Sequence, residues 1–341
     1  MKRISFKLST YCLAFLLLFG FVCQAQAKGL ETVEREQNTD TVLMVSPDDF
    51  GFNAQTAESN AFQNKDDNAL KARNQALEES NNMAEKLRMA GVSVIVLPSR
   101  KDVKTPDAVF PNNWFSTHEM SNGERVLVLY PMLAPNRRAE RRPELLEKNL
   151  KTAGYEITKV IDLTPWEEKN EFLEGTGSLV LDRVNGVAFA VLSPRTSGKV
   201  LDQFDEAMGY DSVRFHSVDK NGKDVYHTNV VMSVGKEFAV VCLESVKNEK
   251  ERKALVEALE KRGKKIIPIS LEQMYHMCGN IMELNSKSGG KVLLMSRTAF
   301  NNFTDGQKKE LSKFCKLLPV DIETIERIGG GSARCMVGEV F

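Results

Sequence analysis

The chain has 341 residues, with 46 basic and 46 acidic side chains and a formal net charge of +0 at pH 7. A protein that binds nucleic acid or anionic membranes through charge would carry a basic excess, so this balance argues against both classes. With 42% hydrophobic residues, the chain can bury one large core or two smaller ones.

The first 27 residues have the pattern of a secretory signal peptide. "MKR" and Lys7 form a basic start, the apolar run "YCLAFLLLFGFVC" follows, and "AQA" at 25–27 offers small residues for cleavage. We therefore expect cleavage near Ala27, export to the periplasm or the medium, and no membrane attachment afterwards. An uncleaved N-terminal anchor is the alternative interpretation.

Residues 41–341 contain a unit of predicted secondary structure that repeats five times. Each unit is predicted to run through an apolar strand, a helix, a β-branched strand and a third strand that opens the next unit. The apolar strands lie in "VLMVSPDDF", "VLVLYPMLAPNRR", "VAFAVLSPRT", "EFAVVCLESV" and "KVLLMSRT". Residues 28–40, ahead of the first unit, are predicted to form a flexible segment.

The last unit leaves the C-terminal strand in "CMVGEVF" without a partner of its own. The free candidate is the first strand, "TVLMVSP", and their pairing would close the five units into a ring. We therefore predict a single α/β domain over 41–341, a five-bladed α/β propeller of ββαβ units with a central channel. An open α/β sheet is the alternative.

Polar residues recur at the same place in each unit, just before the third strand. In a ring these positions converge on one end of the channel, and polar groups that converge in a concave pocket are typical of an active site. The residues are Asp107, Asn112, Asn113, Glu174, His227, Asn229, Cys278, Asn280 and Cys335.

The types of these residues indicate a chemistry. Cys335 is a candidate nucleophile, and we expect glycine-rich backbone amides and Arg334 to lower its pKa. His227 can move protons near neutral pH, and Glu174 can orient the imidazole or hold a substrate N–H. Taken singly, each residue also has a structural interpretation, as a hydrogen-bonded His, a turn or a packed Cys. The sequence has no CxxC or HExxH spacing that would predict a metal site.

Four motifs, "PDAVFPNNW", "EGTG", "HTNVV" and "GGGSARCM", resemble in their order and spacing the guanidino-group-modifying superfamily. That superfamily includes arginine deiminases, dimethylarginine hydrolases and amidinotransferases, which are five-bladed α/β propellers. The resemblance covers about residues 40–341 and is strongest to the citrulline ureidase branch. It implies a small-molecule substrate and neither a metal nor an organic cofactor.

The resemblance implies a role for each matching residue. Cys335 corresponds to the nucleophile, His227 to the general acid and base, and Glu174 to the carboxylate that holds the substrate's terminal nitrogen. Two arginines would grip the substrate's α-carboxylate, and the loop "PDDFGFN" would cover the pocket. The implied substrate-binding residues are Asp107, Asn112, Asn113, Arg137, Arg195, Phe50 and Asn53.

One position departs from the pattern of the superfamily. Deiminases and dimethylarginine hydrolases usually have an Asp where this chain has Asn113, and a second carboxylate there pairs well with a cationic guanidinium. A ureido group is neutral, and an amide can donate to its oxygen and accept from its nitrogen. Asn113 therefore favours a ureido substrate such as citrulline over arginine.

The sequence thus predicts a hydrolase that attacks the ureido carbon of L-citrulline through Cys335 and yields ornithine, CO2 and ammonia. An arginine deiminase, a dimethylarginine hydrolase and an arginine dihydrolase are alternatives within the superfamily. A non-catalytic periplasmic protein that binds arginine or citrulline is the alternative outside it. The sequence is compatible with a homodimer.

Four cysteines remain after the leader, namely Cys242, Cys278, Cys315 and Cys335. Two disulfides are the default expectation for an exported protein, although the spacing of these cysteines is not that of a disulfide framework. At least one of the four is a candidate for a catalytic free thiol. Cys278 lies at the repeat position equivalent to Cys335. One hypothesis is that a Cys278–Cys335 disulfide forms and inactivates the catalytic thiol. The other is that Cys278 is only a packed residue of the protein interior.

Overall fold

The structure, a computed structural model, describes residues 35–65 and 68–341. The signal peptide predicted for residues 1–27 lies outside the described residues, as does the predicted flexible segment up to residue 34. Within the described part of the chain, no helix is long and apolar enough to cross a membrane.

The described strands form five separate sheets of three strands each. In every sheet the middle strand pairs antiparallel with one neighbour and parallel with the other. In chain order the strands are β1 (Thr41–Val45), β2 (Ser93–Leu97), β3 (Phe115–Glu119), β4 (Arg125–Leu129), β5 (Lys159–Asp162), β6 (Val180–Asp182), β7 (Val187–Val191), β8 (Asp211–Phe215), β9 (Met232–Val234), β10 (Phe238–Val241), β11 (Lys265–Pro268), β12 (Met282–Asn285), β13 (Lys291–Ser296), β14 (Lys316–Val320) and β15 (Gly338–Glu339).

Each parallel pair requires a crossover connection, and helices supply it in all five sheets. The crossover helices are α2 (Ala69–Met89), α4 (Pro143–Thr152), α6 (Gly198–Met208), α8 (Glu249–Lys261) and the pair α10 (Arg297–Asn302) and α11 (Asp305–Leu311). Local sequence sets their limits: Ser197 caps the start of α6 and Gly209, with φ 64, ends it. The middle strands β1, β7 and β10 are buried along their whole length, which is why they are continuous apolar runs in the sequence.

The remaining helical segments are short, and most of them precede the first strand of a sheet. They are α1 (Ala54–Ala57), α3 (Pro135–Arg138), α5 (Gly175–Ser178), α7 (Thr228–Val231), α9 (Leu271–Tyr275), α12 (Glu323–Gly329) and 3-10 turns at Pro111–Asn113, Thr164–Lys169 and Leu243–Ser245. The polar residues that recur in the repeat lie in or beside these segments. Glu174 is the N-cap of α5 and His227 the N-cap of α7.

The C-terminal strand closes the ring, as the sequence predicts. β15 pairs antiparallel with β1, with Val42 opposite Glu339 and Leu43 opposite Gly338. Neighbouring sheets also contact each other through their first strands, β3 with β15 and β6 with β9. The five-bladed α/β propeller is therefore confirmed, and the open sheet is wrong because the strands form five small sheets rather than one.

Residues 37–39 correct the prediction that the whole of 28–40 is flexible. Gln37, Asn38 and Thr39 are all buried. The amide of Gln37 donates to Leu181 O at 2.9 Å, and that of Asn38 donates to Glu283 Oε2 at 2.7 Å. These amides satisfy acceptors on different blades, so tertiary contacts order a stretch whose composition alone indicates a linker.

The four described cysteines, Cys242, Cys278, Cys315 and Cys335, are buried free thiols. The expectation of two disulfides is therefore wrong, and the hypothesised Cys278–Cys335 bridge is not formed in this structure. The Cys278 thiol donates to Ala299 O at 3.5 Å and packs within an apolar cluster. The alternative hypothesis, a simply packed Cys278, describes its position.

Ring closure should contribute measurably to stability through Val340. This side chain is fully buried at the joint, in a cluster with Leu43, Phe115 and Leu127. We expect Val340→Ala to lower the free energy of unfolding, measured by urea denaturation, by about 2 kcal/mol. Val160→Ala is the matched control because Val160 is 45% exposed. Equal losses for the two variants would contradict this account of the closure.

Candidate active site

Residues from several blades surround one small cavity of about 10 Å³, which is room for about one water molecule. Six of its lining residues are those predicted from the sequence: Asp107, Asn113, Arg137, Arg195, His227 and Cys335. The lining is completed by Thr56, Asn60, Gln63, Phe110, Tyr226, Gly329 and Gly331. The repeat therefore brings its polar positions together, as expected for a propeller.

Cys335 lies on a turn that begins at Ser332 and leads into β15. Its N–H donates to Ser332 O at 2.9 Å. Its Sγ accepts from Asn280 Nδ2 at 3.2 Å and from Asn229 Nδ2 at 3.4 Å. The preceding glycines leave room for Phe110, since a Cβ on Gly329 would lie 2.7 Å from its ring and one on Gly331 would lie 3.0 Å from it.

The expectation of a low pKa for Cys335 is wrong in this structure. Burial raises the pKa of the thiol, and hydrogen bonds from Asn280 and Asn229 and the charge of Arg334 offset this only in part. The Arg334 guanidinium is directed to Glu339, with 2.6 Å between Nη2 and Oε2. The thiol form therefore dominates near neutral pH until a ligand changes the field in the cavity.

His227 and Glu174 form a buried pair, with 2.9 Å between Nε2 and Oε2. Burial lowers the pKa of His227 to about 4 although Glu174 raises it, so the imidazole is neutral at pH 7. Burial opposes ionisation of Glu174, but Arg195, His227 and Arg137 bring its pKa below the usual range. An ionised carboxylate only accepts, so Nε2 carries the imidazole proton and Nδ1 keeps a lone pair that can act as a base.

The glycine at 177 explains why the "EGTG" motif is needed. A Cβ at this position would lie 2.4 Å from Asn113 Nδ2 and 2.6 Å from His227 Nδ1. Any side chain there would push the amide and the imidazole out of place. Gly177 therefore allows Asn113 and His227 to lie side by side.

Asp107 links the cavity to the segment that covers it. Its Oδ2 accepts from Asn53 Nδ2 at 2.7 Å and from Thr56 Oγ1 at 2.9 Å, both at the start of α1. Its Oδ1 has no hydrogen-bond partner among the described residues. Burial raises the pKa of Asp107 and Arg137 opposes that rise. One carboxylate oxygen is thus left for a ligand.

Three predicted substrate-binding residues do not line the cavity. Asn53 reaches it only through Asp107, and Phe50 packs in an apolar cluster against Gly329. Asn112 is fully buried, and its side chain has no hydrogen-bond partner among the described residues. Direct contact of Phe50 or Asn112 with a substrate is not supported by this placement, because neither residue lines the cavity.

The two arginines are already bound by the protein. Each of the three nitrogens of Arg137 donates to a protein acceptor, including Glu140 and Asn113. Arg195 donates to Ser59 Oγ and Thr56 O and lies 3.4 Å from Glu174 Oε2. The predicted grip of Arg137 on an α-carboxylate does not fit this geometry, whereas Arg195 could exchange Ser59 for a ligand.

Sequence reasoning did not give a role to three residues that the site uses. Asn229 and Asn280 hydrogen-bond the nucleophile candidate, and Glu140 binds Arg137 through both carboxylate oxygens at 2.9 Å. The signal for the asparagines was present in "HTNVV" and "MCGNIM", where Asn recurs at one phase of the repeat. Glu140 lies in the basic run "NRRAERR", which gives no signal of a buried pair.

A metal centre has no donor set in the part of the chain that the structure describes. Residues 35–65 and 68–341 contain no group of three or more His, Cys, Asp or Glu side chains arranged to hold an ion. The residues that line the cavity supply a buried thiol, a neutral imidazole and the carboxylate of Asp107.

The family model described as N,N dimethylarginine dimethylhydrolase, eukaryotic, matches residues 46–341. The chain therefore belongs to this family and, with it, to the guanidino-group-modifying superfamily that the motifs resemble. No curated protein matches the chain significantly in sequence. The nearer assignment to the citrulline ureidase branch rests on the motifs alone.

Solved structures share the fold at low sequence identity. The N-terminal domain of ArgZ, an arginine dihydrolase from the ornithine–ammonia cycle in cyanobacteria, has a TM-score of 0.66 and 16% identity, covering 88% of this chain and 97% of that chain. AgrE bound to ornithine and NAD+ has a TM-score of 0.64 and 19% identity, covering 88% and 39%. Dimethylarginine dimethylaminohydrolase as an adduct with S-methyl-L-thiocitrulline has a TM-score of 0.58 and 17% identity, covering 89% and 99%.

The buried neutral imidazole makes stability depend on pH. The folded protein resists protonation of His227 until about pH 4, whereas the unfolded chain takes the proton near 6.5. Stability is therefore lost as the pH falls through this window, by about 3 kcal/mol for this group. We expect His227→Asn to remove most of this dependence in denaturation series between pH 7 and pH 4. The exposed His216→Asn is the control, and an unchanged slope for His227→Asn would contradict the assignment.

Proposed function

We propose that the chain is a Cys335-dependent hydrolase of an arginine-like amino acid that carries its substrate through the ureido stage to ornithine, as an arginine dihydrolase would. The main support for this proposal is that four kinds of group meet at one cavity. They are a thiol, a neutral imidazole, the carboxylate that hydrogen-bonds this imidazole, and two polar atoms without a partner. Those atoms are Asp107 Oδ1 and Asn113 Nδ2, which have no hydrogen-bond partner among the described residues. Family membership supports hydrolysis at a guanidino carbon.

The charge of a guanidinium suits the first step. Burial keeps Cys335 protonated, and a cation bound beside Sγ would lower the pKa of the thiol and favour the nucleophilic thiolate. Asp107 Oδ1 lines the cavity without a hydrogen-bond partner among the described residues and supplies a carboxylate oxygen for the guanidinium N–H groups, whereas Glu174 lies behind His227 and both its oxygens are occupied. His227 Nδ1 is free to take the thiol proton.

The amide of Asn113 suits the second step. Arg137 donates to Asn113 Oδ1 at 2.7 Å, and this bond directs Nδ2 away from Arg137. Nδ2 lies beside His227 without a hydrogen-bond partner among the described residues, so the cavity presents an N–H donor there. A ureido oxygen accepts from such a donor, whereas a guanidinium has only donors. The arrangement therefore supports a ureido group held in the same cavity.

The bonds of both steps balance. In the first, Cys335 Sγ attacks the guanidino carbon, a terminal C–N bond breaks and ammonia leaves, and water releases citrulline. In the second, Sγ attacks the ureido carbon, the bond to the ornithine nitrogen breaks, and His227 protonates that nitrogen. Water then releases carbamate, which decomposes to CO2 and ammonia. The oxidation state of every atom is unchanged, so hydrolysis needs no redox partner.

A citrulline ureidase is the second candidate, and the Asn113 amide favours it. Under this candidate the enzyme performs only the second step. The leader-like residues 1–27 support a further proposal, that the hydrolysis takes place after export.

Product analysis separates these functions. We expect purified protein to release ornithine from arginine and from citrulline, with two ammonia per ornithine from arginine and one from citrulline. Cys335→Ala should abolish both reactions, whereas Cys315→Ala, whose thiol bonds Leu311 O outside the cavity, should keep them. Ornithine from citrulline alone would select the ureidase, and accumulated citrulline a deiminase. Binding of either amino acid without ammonia release would contradict the proposal.

Asn113→Asp tests the recognition of the ureido group. The carboxylate removes the N–H donor and adds a negative charge, so kcat/KM for citrulline should fall about tenfold or more while that for arginine falls less or rises. The matched control is Asn122→Asp in an exposed hairpin turn. If Asn113→Asp changed kcat/KM for citrulline and for arginine by the same factor, Asn113 would not discriminate between the two substrates.

A further inference from the structure

Glu140 is a buried carboxylate that the mechanism above does not use. It is 3% exposed and lies just after α3. Its two oxygens accept from Nε and Nη2 of Arg137, each at 2.9 Å. The neighbouring Arg138 and Arg141 turn to Glu167 instead. Glu140 therefore serves Arg137 alone among the arginines of this basic run.

Arg137 joins Glu140 to the cavity. While Glu140 holds Nε and Nη2, Nη1 donates to Asn113 Oδ1 at 2.7 Å. The bidentate contact with Glu140 fixes one edge of the planar guanidinium. Because the group is rigid, its third nitrogen, Nη1, is held toward Asn113. An asparagine amide has an acceptor at one end and a donor at the other, so a fixed donor at Oδ1 determines what Asn113 presents to the cavity.

We propose that Glu140 is a specificity-determining positioning residue, which acts through Arg137 to keep the N–H end of Asn113 directed at the substrate's terminal group. This inference rests on the proposed function, because it explains how the site accepts a ureido oxygen. Asp107 Oδ2 is only 3.9 Å from Arg137 Nε. Burial raises the pKa of Glu140 to about 7 although Arg137 opposes the rise. Both Glu140 oxygens accept from Arg137, which requires the ionised carboxylate. When that charge is removed, we expect Arg137 to shift toward Asp107 and Asn113 to present Oδ1 instead.

Glu140→Gln tests the relay by the ratio of substrates. We expect the ratio of kcat/KM for arginine to that for citrulline to rise about tenfold, since the variant loses a charge-assisted hydrogen bond that orients Asn113. Glu140→Asp keeps the charge at shorter reach and should give an intermediate ratio. Glu144→Gln, an exposed change four residues away, should leave the ratio unchanged. If Glu140 had a purely structural role, Glu140→Gln would lower kcat/KM for both substrates by the same factor. That result would overturn the proposal.

A double-mutant cycle shows whether the effect passes through Asn113. In an Asn113→Ala background, Glu140→Gln should no longer change the substrate ratio, because the amide that it orients is gone. The same shift in both backgrounds would overturn the relay. It would mean that Glu140 acts on the substrate by another route.

A readout without substrate separates this inference from the proposed function. In protein labelled with 15N asparagine, the side-chain NH2 signal of Asn113 can be assigned by its loss in Asn113→Ala. Glu140→Gln should shift that signal, and Glu144→Gln should not. If the enzyme turned over neither amino acid, the proposed function would fail while this signal still decided the relay. An unmoved Asn113 signal would overturn the relay itself.

Discussion

The pairing of β15 with β1 is the constraint on which the rest of the structure depends. It joins the chain's last strand to its first, and it holds the turn from Ser332 to Cys335 against residues that come from the other blades. The same turn is also held by a neighbouring blade, because the N–H groups of Arg334 and Cys335 both donate to Asn280 Oδ1. Closure therefore does more than stabilise a ring of small sheets, because it also assembles the cavity.

Charge pairing inside the closed ring governs the chemistry of the cavity. Arg137 and Arg195 are buried beside Glu140, Asp107 and Glu174, and buried charges are tolerated only when they are paired. This network keeps Glu174 ionised, which fixes the imidazole of His227. Burial, and not the network, leaves the Cys335 thiol protonated until further charge enters the cavity. A substrate thus enters a site whose polar groups are already oriented by one another.

Much of this architecture can be predicted from the sequence, because five copies of one strand–helix–strand unit carry the same periodicity and the same turn signals. The repeat also fixes which residues meet, so Cys335, His227 and Asn113 fall at one end of the channel. The Arg137–Glu140 pair and the raised pKa of Cys335 could not be predicted, since both depend on burial. The sequence also could not show which of two neighbouring residues, Cys278 or Asn280, contacts the nucleophile. In the structure Asn280 Nδ2 donates to Cys335 Sγ, whereas the Cys278 thiol donates to Ala299 O.

The central claim is that one thiol attacks the carbon of the substrate's terminal group. The most direct measurement is mass spectrometry of protein quenched with acid during turnover of arginine or citrulline, followed by peptide mapping. The account predicts a substrate-derived adduct on the peptide that contains Cys335, on a time scale consistent with turnover. Turnover with no adduct at Cys335, or with an adduct on another residue, would contradict it.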